Sequence, residues 1–147
     1  MARFTDMFTE LVRVEIELWN KLDAHLVATA GITLPQFQAL EAIRANSGQA
    51  RVQDISQRMA ITVGATSKVV DRLERDGLAQ RTAHPTDRRS SIVSLTDAGA
   101  SALNIADDAA ESHLREELGS VLSDDDAGRL LGDLIALRAQ SRVEVAK

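Results

Sequence analysis

Between Val52 and Leu95 the spacing of apolar residues changes character, and that change restricts the chain to few folds. Val52, Ile55 and Met59 mark a short helix, and Ile61-Thr62 a tight connection. Thr66, Val69, Val70 and Leu73 then form the narrow inward arc of a second helix, from Val63 to about Asp76. Gly77 stops that helix, because glycine takes the left-handed C′ position without strain. Two strand-like runs follow, Leu78 to Thr82 and Ser91 to Leu95, and the polar, basic segment from His84 to Ser90 reads as the hairpin tip between them.

The flanks read as helices. From Phe4 to about Ala30, Phe4, Phe8, Leu11, Leu18, Leu22 and Leu26 share one stripe, with Val12, Ile16 and Trp19 on an adjoining one. This apolar arc is wider than one contact surface requires. Gly31 breaks it, and Thr33-Leu34-Pro35-Gln36 opens another helix, with Thr33 as N-cap, Pro35 in the first turn and Gln36 at the capping-box position. Phe37, Leu40 and Ile43 supply its buried side, and Asn46-Ser47-Gly48 ends it. After the hairpin, Thr96-Asp97-Ala98-Gly99 starts a helix running through Leu103, Ala106, Ala110 and His113 towards Leu118. Ser123-Asp124-Asp125-Asp126 begins the last helix, with Leu130, Leu131, Leu134, Ile135 and Leu137 as its apolar side. The expected organisation is a single mainly α domain over 1–147. It holds a module at 31–99 with a small β-hairpin, and a helical dimerisation layer made of 1–30 and 100–147.

Composition removes several function classes. With no Cys there is no disulfide framework, thiolate metal site or reactive thiol. No Gly-rich phosphate loop, Ser-His-Asp signature or metal motif is present, so the chain is not expected to be an enzyme or to hold a cofactor or metal. The opening residues alternate apolar and charged positions where a signal peptide would be uninterrupted, and no stretch approaches a membrane span, which predicts a cytoplasmic protein without membrane partners. The net charge of −5 hides an asymmetry: residues 31–96 carry nine Lys or Arg against six Asp or Glu, and the flanks eight against sixteen. A module of net +3 thus lies between arms of net −8, and such asymmetry points to an anionic partner.

Helix-turn-helix followed by a basic-tipped hairpin is the winged-helix layout, and it coincides with this basic segment. A helix can enter the major groove of double-stranded DNA when small residues lie near its N-terminus and cations farther along. Thr62, Gly64, Ala65, Thr66 and Ser67 provide the first, and Lys68, Arg72 and Arg75, within one outward sector, the second. Gly64 costs about 1 kcal/mol of helix propensity relative to Ala. Asp71 also faces outward, where it repels phosphate unless Arg75 or Arg72 pairs with it.

The segments ITVGATSKVVDRLERDGLAQR and PTDRRSSIVSLTDAG resemble the MarR family of bacterial transcriptional regulators. The Asp-x-Arg of the hairpin and the following Leu-Thr-x-x-Gly fall here on Asp87, Arg89, Leu95, Thr96 and Gly99. The resemblance implies a homodimer built from the terminal helices, a pseudo-palindromic operator, repression of transcription and, often, a small phenolic or aromatic-acid effector. Arg89 would enter a minor groove with Asp87 holding its guanidinium, and Arg88 would meet phosphate. Trp19 either lines an effector cavity, with Phe37 on the neighbouring helix and His25 or His113 meeting an anionic ring substituent, or packs at the dimer contact. Two alternatives keep the fold: a protein-interaction module without specific DNA binding, and a metal-responsive regulator. The histidines, however, lack a recognisable ligand spacing.

Overall fold

The structure, a computed structural model, describes residues 1–145. Ala146 and Lys147, the end of the expected 100–147 layer, lie outside the described residues. Six helices and three strands follow one another: α1 (Phe4–Ala30), α2 (Leu34–Ala45), β1 (Gln49–Arg51), α3 (Val52–Met59), α4 (Val63–Arg75), β2 (Ala79–Ala83), β3 (Ser91–Leu95), α5 (Asp97–Gly119) and α6 (Asp124–Val145). Met1–Glu111 and Ser112–Lys147 form two compact units, with α5 beginning in the first and ending in the second.

In the first unit, local capping sets the helix limits. Gly31 closes α1 in the left-handed region, with its N–H on the Val27 carbonyl. Thr33 and Gln36 form the reciprocal capping box at the start of α2, and Asp23 of α1 accepts from the Leu34 N–H at 2.7 Å, a contact between helices. Thr62 caps α4 by accepting from the Ala65 N–H, and Gly77, at φ 72°, follows its end. Leu26, Leu40, Ile43, Ile55, Val70, Leu73, Val93 and Leu103 are fully enclosed, drawing α1 to α5 and the sheet around one core. At the edge of that core, the buried Gln36 donates from Nε2 to Asp76 at 2.9 Å, tying α2 to the end of α4.

The hairpin expected from two runs is part of a three-stranded sheet of order β1-β3-β2, antiparallel throughout. β1 pairs Gln49 with Ser94 and Arg51 with Ile92. Three residues after a helix carry too little alternation to declare a strand; only the distant partner β3 makes one of them. The exit from β3 is equally constrained. Thr96 donates from Oγ1 to the Gly77 carbonyl at 2.6 Å and accepts from the Gly99 N–H, while a Cβ on Gly99 would lie 1.8 Å from the Leu78 carbonyl oxygen. The Leu-Thr-x-x-Gly motif is thus the joint where α5 passes against the strand leaving α4.

In the second unit, Ser123 begins α6: its Oγ accepts from the Asp126 N–H and donates to the Asp126 carboxylate, which Arg129 also contacts. Arg115 lies 3.6 Å from Asp124. Residues 127–141 of α6 are all exposed, Leu131, Ile135 and Leu137 among them by more than half. In the first unit, residues 1–17 are exposed, and Phe4 and Phe8 stand 82% and 67% open. Only the second half of α1 meets the core, through Leu22 and Leu26.

Candidate nucleic-acid interface

The outer side of α4 follows from its buried side. Val70 and Leu73 face the core, so with 100° per residue Lys68, Arg72 and Arg75 stand outward and exposed. Lys68 and Arg72 make no ion pair with described residues, and Arg75 approaches only Asp76, at 3.9 Å. Thr62, Gly64 and Ala65 are exposed at the start of the helix, and Ser67 is half-buried. Nothing lies within 4 Å of a Cβ on Gly64, so neither space nor backbone angle in this chain demands glycine there.

Thr66, expected both on the inward arc and among the small residues of the reading edge, takes only the inward place. It is fully buried, and its hydroxyl donates to the Thr62 carbonyl at 2.8 Å. A residue on the border of the inward arc drops inside when its hydroxyl can be satisfied by the preceding turn. Its side chain therefore belongs to the core and cannot meet a base.

In the wing, the tip is closed by hydrogen bonds of the His84 N–H to the Ser90 carbonyl and of the Ser90 N–H to the Asp87 carbonyl. His84 Nδ1 accepts from the N–H groups of Thr86 and Asp87, so this histidine organises the turn rather than simply occupying it. The resemblance implies that Asp87 holds the guanidinium of Arg89. Asp87 instead accepts from the Arg89 backbone N–H at 3.0 Å, because an aspartate two residues ahead reaches the main chain more readily than the far end of the side chain. The turn is fixed, and the exposed side chains of Arg88 and Arg89 make no ion pair among the described residues.

Asp71 is neutralised by a residue the sequence did not point to. Neither Arg72 nor Arg75 pairs with it; Arg81, on β2, donates from Nη1 to both Asp71 and Glu74 and from Nη2 towards the Ser67 carbonyl at 3.4 Å. Burial opposes the charge on Arg81, but the hydrogen bonds and charges of Asp71 and Glu74 outweigh it, so its pKa is raised. Helix and wing thereby flank a cleft of about 420 Å³, lined by Ser67 and Val63 of α4, Asp87 and Arg89 of the wing, Arg81, Arg51 at the end of β1 and Gln53 in the first turn of α3. Arg51 also reaches His84, 2.8 Å from Nε2. The fold thus brings Ser67, Asp87 and Arg89 to one place and adds Arg51 and Arg81, whose involvement depends on pairings across the sheet.

The remaining expected positions lie elsewhere. Trp19 and His25 are on α1 and Phe37 on α2, the two helices being packed together, with Trp19 36% exposed and the other two half-buried. His113 falls in the second unit. Among the described residues no three His, Asp or Glu side chains gather to hold a metal ion, and no helix is long and apolar enough to cross a membrane.

A winged helix with this element order has known counterparts. The MarR family model matches residues 30–90. An uncharacterized HTH-type transcriptional regulator of Bacillus subtilis, YfiV, is 32% identical over 56% of this chain, a match spanning 46% of that protein. The HTH-type transcriptional regulator MhqR of the same organism is 31% identical over 82% of this chain and 81% of its own length. The fold also superposes on Sco3205, a MarR family transcriptional regulator from Streptomyces coelicolor whose crystal structure is a complex with DNA. The TM-score is 0.83 at 22% identity, covering 93% of this chain and 86% of that one. With sequence likeness over most of its length and the winged-helix fold in common, the chain belongs to the MarR family of DNA-binding transcriptional regulators.

Proposed function

We propose that this regulator acts as a homodimer that represses transcription from a pseudo-palindromic operator, placing α4 in the major groove and the wing in the flanking minor groove. The observation that carries the reading is the joint placement of exposed cations at two sites of one compact unit. Lys68 and Arg72 stand on the outward face of α4, and Arg88 and Arg89 on a hydrogen-bonded wing tip. Thr62, Gly64, Ala65 and Ser67 form the leading edge towards the bases, with Arg75 farther along and Asp87 shaping the tip.

Homodimerisation is supported by apolar side chains that stand exposed among the described residues of each unit. Phe4, Phe8 and Ile16 in the first unit, and Leu131, Ile135 and Leu137 in the second, are each at least half exposed. A second copy brings two reading helices to successive major grooves, about 10 bp apart between half-site centres. The regulator releases its operator when a small aromatic acid or phenol binds beside Trp19, His25 and Phe37. A ligand that favours the non-binding state by about 1.4 kcal/mol gives a tenfold loss of operator affinity.

Selection of bound fragments from the source genome, followed by footprinting, tests the DNA reading. Two protected half-sites about 10 bp apart are expected; protein that enriches no fragment overturns it. Titration of the protein–DNA complex with salicylate-like acids, followed by Trp19 fluorescence, tests the effector. No change in either signal at millimolar ligand removes the aromatic-acid class.

A further inference from the structure

Arg81 joins the wing to α4 by charge. Its partners are spaced along a single strip of the helix: the Ser67 carbonyl, the Asp71 carboxylate one turn on, and the Glu74 carboxylate beyond it. The Arg81 side chain is 27% exposed, while those of Asp71 and Glu74 are 63% and 36% exposed. Both acids therefore reach the surface on the helix that carries Lys68, Arg72 and Arg75.

Resting on the DNA reading given above, we propose that Arg81 is a positioning residue for operator binding. It holds the wing at a fixed angle to α4, and it cancels two carboxylates that would otherwise oppose the phosphate backbone. The register supports the first part: Arg81 lies opposite Val93 of β3, which is fully buried, so its Cα is fixed by the sheet while its fork reaches α4. An arginine fork suits this task because it engages two carboxylates and a carbonyl at once, where an ammonium acts as a single point. The second part follows from charge. On α4 itself, Lys68, Arg72 and Arg75 face Asp71 and Glu74, so without Arg81 the helix offers a net of one positive charge.

The role separates from a direct phosphate contact and from plain stabilisation by rescue. Affinity is measured for the selected operator and for the same operator with G·C-rich flanks, whose minor grooves are wider, at several salt concentrations and below the thermal midpoint of each variant. Arg81→Gln should bind about tenfold more weakly and lose the preference for the native flanks. Adding Asp71→Asn and Glu74→Gln to Arg81→Gln should bring affinity back to within about threefold of wild type, because the opposing charges are gone, without restoring flank preference. Asp71→Asn with Glu74→Gln, keeping Arg81, should lose flank preference alone; this variant decides the matter if Arg81→Gln does not fold. A triple variant as weak as Arg81→Gln, or flank preference unchanged in the double variant, overturns the proposal. Wild-type protein that binds no fragment would sink the DNA reading and this inference together, whereas either of the other results sinks this inference alone.

Discussion

Two glycines with opposite surroundings show how much a single position decides. Gly99 N–H is held by Thr96, and the missing Cβ leaves room for the Leu78 carbonyl. Since a Cβ at 1.8 Å meets backbone on an anchored strand, Gly99→Ala should cost about 2–4 kcal/mol. A chemical-denaturation midpoint unchanged by that substitution would contradict the packing described. Gly64 has open space around it and an ordinary helical backbone, so Gly64→Ala should stabilise the fold by about 0.5–1 kcal/mol. If operator affinity falls at the same time, the glycine serves close approach of the helix to DNA. Both glycines are visible in the sequence, but only the fold tells them apart. The same holds for Thr66, which lies on the border of the helical wheel, and for Arg81, which is separated from Asp71 and Glu74 by a turn and a strand.

At the level of elements, what was legible is what local chemistry determines. The start of α2 is written in Thr33 and Gln36, the start of α4 in Thr62 and its end in Gly77, because a cap and the groups it satisfies lie within four residues. β1 escaped because its strand character comes from β3, more than 40 residues away in the chain, and the Asp87 contact because main chain and side chain compete for one carboxylate. The acidic turn of α6 gives a further test. Hydrogen bonds from Ser123, and then from Arg129, hold the Asp126 carboxyl below the usual carboxylate range. A depressed folded pKa means that this contribution is present above the unfolded pKa and is lost as pH falls through the folded one. NMR titration should find Asp126 below the other exposed aspartates, and Ser123→Ala should move it upward; no movement would assign the depression to some other group.

At the scale of the whole molecule, apolar side chains stand exposed among the described residues, at the first half of α1 and along α6. Sedimentation at micromolar concentration should therefore find a dimer, and a folded, monodisperse monomer would remove both the dimer and the half-site spacing. Operator recognition of this kind requires α4 and the wing to be the surface that meets nucleic acid. Its most direct test is the salt dependence of operator affinity for wild type, Lys68→Ala and Arg89→Ala. If these cations meet the duplex, Lys68→Ala should weaken all sequences alike and make the slope of log K against log salt about one unit shallower, while Arg89→Ala should weaken sites with narrow flanking minor grooves most. Affinities and slopes identical to wild type in both variants would contradict the assignment of this surface.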